Sequence, residues 1–288
     1  MATFRTDTAG SALSDWCNRY LRAAGTALFG LLVLCLAPVT LYPQASAQPA
    51  DQQPVRVAAA SDLRFALDDI AAVFQRDSGY RLRITYGSTG NFAHQIRHGA
   101  PFHLFLAADE GYVDALASDR LTQDAGTLYA IGRLALVVPR GVSSTPAPTL
   151  TNLHERLAAS PGQRFAIANP AHAPYGERAR DVLEHQGLWE ALQPQLVLGE
   201  NVSQAAQFAL SGSTVGGLVA WSLALAPRMA ARADSTLIPA DWHRPLKQRM
   251  VLLRGATEGA HAFYAYLQES PAREVLRRYG FSLPADRI

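Results

Sequence analysis

Asn169-Pro-Ala-His-Ala-Pro-Tyr-Gly176 follows an apolar run, Arg164-Phe-Ala-Ile-Ala168, and precedes a helical pattern over Glu177 to His185. The spacing predicts strand, turn and helix in that order. Pro174 has no N–H to donate, and Gly176 lets the backbone come close to a neighbour. A helix N-terminus leaves unpaired N–H groups and partial positive charge, which suits an anion. One such turn decides little, because most helix starts meet only water. Three further turns of the same kind give it weight.

Val55-Arg-Val-Ala-Ala59 reads as a buried strand, and Ser61 then opens a helix with Leu63, Leu67, Ile70 and Phe74 on one face. Arg81 to Tyr86 alternates as a strand into the tight turn Gly87-Ser-Thr-Gly90, with a helix over Asn91 to Arg97. Leu196 to Leu198 is a strand, and Asn201 caps the helix after it. Further strands are expected at Phe102 to Ala107, Leu134 to Val138, Gly216 to Ala220 and Met250 to Leu253, with helices from Asp109, near Ala260–Leu267 and near Ala272–Tyr279. Ser143 to Thr151 is a Pro/Ser/Thr-rich loop. Strands alternating with helices imply an α/β chain with mostly parallel sheets, whose ligands sit beyond the carboxyl ends of the strands.

Composition narrows the rest. The chain has 288 residues, 49% hydrophobic and 17% charged, enough for one large domain or two lobes. Its formal charge is +2, which gives no electrostatic case for nucleic acid. Arg19 and Arg22 precede the apolar run Ala27 to Ala37, and Ala45-Ser-Ala47 supplies a small-x-small cleavage signal. Residues 1–47 are therefore read as a signal peptide cut after Ala47, 48–53 as a flexible stub, and the destination as the periplasm. Both cysteines, Cys17 and Cys35, fall in that leader, so the mature chain would have no thiolate chemistry.

The candidate residues each have a local use and a ligand-facing use. Ser61 either caps its own helix or turns its hydroxyl to a ligand. Ser88 and Thr89, flanked by Gly87 and Gly90, suit an anion-cradling nest. Tyr175, in its Pro-rich turn, packs or faces a ligand, and Asn201, before Val202, caps its helix or faces a ligand. If the four turns meet, they form a ring of neutral donors. Hydrogen bonds to a charged group contribute about 1.5–3 kcal/mol each, enough for such a ring to outweigh an association cost of about 4–15 kcal/mol.

In order and spacing, Ala58-Ala-Ala-Ser-Asp-Leu63, Gly87-Ser-Thr-Gly90, Gly99-Ala-Pro-Phe102, Leu106-Ala-Ala-Asp109, Pro174-Tyr-Gly176, Gly199-Glu-Asn-Val202, Gly217-Leu-Val-Ala220 and Tyr279-Gly-Phe281 resemble the periplasmic molybdate-binding proteins of ABC transporters, class II solute-binding proteins. The resemblance spans nearly all of 55–282. It implies a two-lobed type II periplasmic-binding-protein fold, with lobe 1 at 54–131 plus 248–288 and lobe 2 at 132–247. It implies molybdate or tungstate in the cleft between them, no cofactor, a membrane permease as partner, and a monomer. Carried over, Ser61, Ser88 and Thr89 bind from the first lobe, and Tyr175 and Val202 bind through backbone N–H groups from the second. Asp62, Asn201 and Gly176 are further candidates. Molybdenum would be held only as its oxyanion, with no residue ligating the metal itself.

Two departures from the family pattern stand out. Ala220 occupies a position where some members use a Tyr hydroxyl. Asp62, beside Ser61, is expected to point outward, because an inward carboxylate would repel a dianion. Sulfate, phosphate or an organic acid is the alternative ligand; a carboxylate would favour an arginine fork, and Arg64 and Arg178 lie near the turns, where a solvent-facing position is equally open to them. An enzyme is not expected: no nucleophile elbow or phosphate-loop motif occurs, and His94 and His98, four apart, lack a third zinc ligand.

Overall fold

The structure, a computed structural model, describes residues 53–141, 148–151, 153–158 and 162–284. The expected leader with Cys17, Cys35 and the Ala47 cleavage site lies outside the described residues, as do most of the stub and of the Ser143–Thr151 loop. Among the described residues there are ten strands: β1 Val55–Ala60, β2 Leu82–Gly87, β3 Leu104–Ala107, β4 Thr127–Gly132, β5 Leu134–Pro139, β6 Arg164–Ala168, β7 Leu196–Gly199, β8 Thr214–Ala220, β9 Ala233–Leu237 and β10 Leu246–Leu252. The helices are α1 Arg64–Ser78, α2 Thr89–Arg97, α3 Glu110–Ser118, α4 Leu153–Ala158, α5 Pro174–His185, α6 Trp189–Leu192, α7 Val202–Phe208, α8 Trp221–Ala224, α9 Pro227–Ala230, α10 Glu258–Tyr266 and α11 Ser270–Arg278. No helix among the described residues is long and apolar enough to cross a membrane.

The strands form two five-stranded sheets, ordered β2-β1-β3-β10-β4 and β7-β6-β8-β5-β9. In each sheet three strands run parallel and the remaining two pair antiparallel. The sheets are thus mixed, with four strands of each running in one sense and one, β10 or β5, opposed. The reason is topological: β5 and β10, which enter each sheet directly from the other, lie against the parallel set in the opposite sense. The chain passes between sheets at Gly132–Leu134 and again between β9 and β10.

Period-two burial explains the layers of the first sheet. Val55, Val57, Ala59, Leu104, Leu106 and Met250 face α1, α10 and α11, where Leu67, Ile70, Phe74, Phe263 and Leu276 close the core. Ala58, Phe105, Ala107 and Val251 face the other way, onto Phe92, Ile96, Val113 and Leu116 of α2 and α3. The second sheet is covered by a single larger core that includes Leu136, Phe165, Ile167, Val182, Leu183, Ala205 and Leu218.

Both sheets therefore present the carboxyl ends of their parallel strands to their own strand-to-helix turns. β1 and β2 feed the turns at Ser61 and Ser88; β6 and β7 feed those at Tyr175 and Asn201. The helix after β6 starts at Pro174, three residues before the expected Glu177, with Pro at its first position. Proline is favoured there because its missing N–H would have no intrahelical acceptor. Tyr175 and Gly176 thus belong to the first turn of α5 rather than to the loop.

Candidate functional site

The four turns meet at one small recess of about 10 Å³. Ser61, Asp62, Ser88 and Thr89 line it from the first sheet's side, and Tyr175, Asn201 and Val202 from the second's. Gly176 does not line it. Gly176 sits beneath, where a Cβ would run into the Ala168 carbonyl at the end of β6, so glycine allows α5 to start close over its own strand. Ser61, Asp62, Ser88, Thr89, Tyr175 and Val202 are all buried.

Each turn is fixed by its own chemistry. Ser61 does not cap a helix: it begins a 3-10 turn, Ser61–Leu63, whose cap position is Ala60. Its hydroxyl instead accepts from the Ser203 N–H at 3.2 Å, and its carbonyl accepts from the Ser203 hydroxyl at 2.8 Å. Ser88 is the N-cap of α2, with its Oγ accepting from the Asn91 N–H at 3.3 Å. The same oxygen lies 2.8 Å from the His172 carbonyl, to which it donates, and 2.9 Å from the His172 ring Nδ1. The Thr89 hydroxyl accepts from the Ala108 N–H at 3.0 Å, tying α2 to the end of β3. Asn201 caps α7 by accepting from the Gln204 N–H at 3.1 Å. Tyr175 and Val202 stand in the first turns of α5 and α7, so their N–H groups have no acceptor within their own helices.

Among the described residues no Lys or Arg lines the recess. Apart from the Asp62 carboxyl, the site is built of hydroxyls, main-chain N–H groups and helix starts. It can stabilise negative charge without a counter-ion, in a place from which water is largely excluded. Arg64 is exposed and stacks over the Tyr86 ring at 5.7 Å from its centroid.

Asp62 departs from expectation. Its carboxylate does not point outward: the residue is 1% exposed, and Oδ2 accepts from the Tyr175 hydroxyl at 3.0 Å and from Gln248 Nε2 at 2.5 Å. Gln248 Oε1 in turn accepts from the Tyr129 hydroxyl at 2.8 Å. This buried polar chain joins the first turn to α5, β10 and β4, and lies beside the first crossing between sheets. A Cβ at Gly132 would meet the Tyr175 hydroxyl and, at 2.7 Å, Gln248 Nε2. Burial pushes the Asp62 carboxyl up to about 6, against the opposing pull of its hydrogen bonds from Gln248 and Tyr175. Burial and the nearby carboxyl push the Tyr175 and Tyr129 phenols well above their usual value, so both stay neutral. The Tyr175 ring is therefore engaged with Asp62, and only its N–H is left for a ligand.

Around the recess, further contacts join the two halves. Gly90 N–H donates to the His172 carbonyl at 2.9 Å. Asn91 Nδ2 donates to Glu200, and the Tyr112 hydroxyl donates to Glu177 at 3.4 Å. Arg178 is not solvent-facing: it is 4% exposed, paired with Asp109 across the interface and with Glu177 at 3.0 Å. Arg178→Ala strands the Asp109 carboxylate. Breaking a buried pair costs about 3–5 kcal/mol, and the one-fifth exposure of Asp109 moves the expectation to the lower end. The expected result is a clear drop in the urea midpoint at unchanged slope; an unchanged midpoint would show that the pair adds nothing to stability. Ser203, His172, Gln248 and Tyr129 carry no local sign of this role in the sequence, since each acts on a residue more than forty positions away.

Comparison with known proteins agrees with this geometry. A family model described as bacterial extracellular solute-binding protein matches residues 55–282. The molybdate-binding protein of Azotobacter vinelandii is 34% identical over 239 residues, which is 80% of this chain and 90% of that protein. The molybdate-binding protein of Rhodobacter capsulatus is 32% identical over 266 residues, 91% of this chain and 96% of that one. Among solved structures, the Azotobacter vinelandii periplasmic molybdate-binding protein superposes with a TM-score of 0.70 at 28% identity, covering 80% of this chain and 99% of that chain. The match runs from β1 to the turn after α11 and takes in all four turns of the recess: the chain belongs to the bacterial extracellular solute-binding proteins.

Proposed function

We propose that this protein captures molybdate outside the cytoplasm and delivers it to the membrane permease of an ABC transporter. The observation that carries the reading is the convergence of four strand-to-helix turns, two from each sheet, on one small recess lined by hydroxyls and main-chain N–H groups, with the Asp62 carboxyl as its one titratable acid. Relatives with more than 30% identity that carry the name molybdate-binding protein supply the ligand. Tungstate, with the same charge and shape, is proposed as a second ligand.

In this reading each sheet is the core of a lobe, 54–131 plus 248–288 and 132–247, and the two crossings form the hinge. The anion is held by Ser61, Ser88 and Thr89 from one lobe and by the Tyr175 and Val202 N–H groups from the other, with Asp62 and Asn201 beside them. Binding closes the lobes, and the Gly90–His172, Ser61–Ser203 and Asp109–Arg178 contacts are those of the closed form. The closed monomer is what the permease accepts. No bond is made or broken, so the protein acts by binding rather than catalysis. Residues 1–47 direct the export and are removed in its course.

Titration calorimetry of the chain from Gln48 onward, with molybdate, tungstate and sulfate in parallel, tests the reading. Sub-micromolar 1:1 binding of the first two and none of sulfate is expected. A folded protein that ignores molybdate and tungstate but binds sulfate, phosphate or an organic acid would replace the ligand and keep the architecture.

A further inference from the structure

Asp62 lines the recess, yet only one of its two oxygens is accounted for. Oδ2 receives two donors, the Tyr175 hydroxyl and Gln248 Nε2. Oδ1 is buried and has no hydrogen-bond partner. The groups that face the residue are the Tyr175 phenol from α5, the Gln248 amide from β10 with the Tyr129 phenol of β4 behind it, the main-chain N–H groups of Asp62 and Leu63, which together with Gln248 and Tyr175 pull against burial, and the Ser222 hydroxyl from α8, which donates to the Asp62 main-chain carbonyl at 2.8 Å. Among the described residues no Lys, Arg or His faces the carboxyl.

An ionised carboxylate in that place would stand next to a bound dianion with hydrogen-bond donors but no cation to offset it. A neutral acid would not. The two donors into Oδ2 make it the accepting oxygen, so a proton on the group resides on Oδ1. A buried O–H then needs an acceptor, and the surrounding residues offer none. An oxygen of the anion in the same recess is such an acceptor.

We propose that Asp62 enters the complex as a neutral carboxylic acid whose Oδ1–H donates a hydrogen bond to the bound oxyanion, so that capture of a dianion at neutral pH takes up one proton from solvent. The inference rests on the oxyanion reading above. Burial already holds the carboxyl at about 6, so below that pH the acid form is in place before the ligand arrives. Above it the group is ionised in the free protein and must be reprotonated on binding. Affinity for a fully deprotonated dianion therefore falls as pH rises past that point, about tenfold per unit.

The test is calorimetric titration of the exported chain with sodium molybdate between about pH 6 and 8, in two buffers of different ionisation heat. For the wild type, about one proton taken up per anion at pH 8 and a tenfold rise in Kd per pH unit are expected. Asp62→Asn carries a permanent amide donor. It is expected to take up no proton, to show a flat pH profile, and to bind about a hundredfold more tightly than the wild type at pH 8, two units above the Asp62 value. Wild-type binding with no proton uptake and a flat profile would overturn the role of Asp62 while leaving the receptor intact, and this measurement needs no variant. Proton uptake that persists in Asp62→Asn would place the proton elsewhere and overturn it too. A folded Asn variant that loses binding would mean that Oδ1 accepts rather than donates. Absence of molybdate binding by the wild type would overturn the oxyanion reading and the proposal together.

Discussion

Replacing Ser88 and Thr89 together with alanine is expected to weaken molybdate binding by at least about a hundredfold. Both residues stand at the start of α2, where the Ser88 hydroxyl caps the helix and touches His172 while the Thr89 hydroxyl holds the Ala108 N–H. In the proposed complex they also supply hydrogen bonds to a charged ligand. Each such bond contributes about 1.5–3 kcal/mol, so losing two costs about 3–6 kcal/mol, or two to four powers of ten in Kd. Loss of the cap itself costs only about 1 kcal/mol of stability. The variant should therefore stay folded, as a thermal scan would show, while calorimetry shows weak binding or none. An affinity within a few-fold of wild type, in a folded variant, would remove this turn from the site.

Gly90→Ala should impair binding by a different route, by holding the halves apart. A Cβ at position 90 would lie 2.6 Å from the His172 carbonyl oxygen and 3.1 Å from its Cα, and these atoms belong to the facing turn. A backbone carbonyl cannot swing aside as a flexible side chain can. The backbone at Gly90 is ordinary, since it is absent from the positive-φ positions, so alanine strains nothing within α2. Alanine even favours the helix by about 1 kcal/mol. The expected result is a Kd raised by one to two powers of ten with unfolding of the ligand-free protein little changed. Unchanged affinity would show that the halves reach their binding geometry without the Gly90–His172 contact.

What the sequence made legible was local. The strand Arg164–Ala168 and the Asn201 cap lie where the pattern placed them, because a short apolar run and an Asx cap are decided within a few residues. The helix start at Pro174 was also readable from proline's preference for the first helical position. Other features were not local. β4 and β9 gave no strand signal; β9 is an edge strand whose Asp234, Ser235 and Thr236 are half-exposed, so it lacks an apolar run. The first half of β10, Leu246-Lys-Gln-Arg, reads as polar, yet Gln248 is fully buried because it serves the Asp62 cluster. Asp62 itself reads as an ordinary acid at a helix start, where the dipole favours it. Its burial comes from Tyr175, Gln248 and Ser222, each more than one hundred positions along the chain. Arg178 reads as a helix-surface cation for the same reason: Asp109, which buries it, arrives from the other sheet.

The position of β10 between β3 and β4 carries a consequence for biogenesis. Those two neighbours are synthesised before any part of the second sheet, and β10 only after all of it. Until the chain is almost complete, β3 and β4 have no strand between them, and the Asp62 carboxyl has no Gln248 to meet. The first-made portion therefore cannot settle early into its final form. For the export proposed above the delay is an advantage, since a chain threaded across a membrane has to stay open until its last strand has emerged.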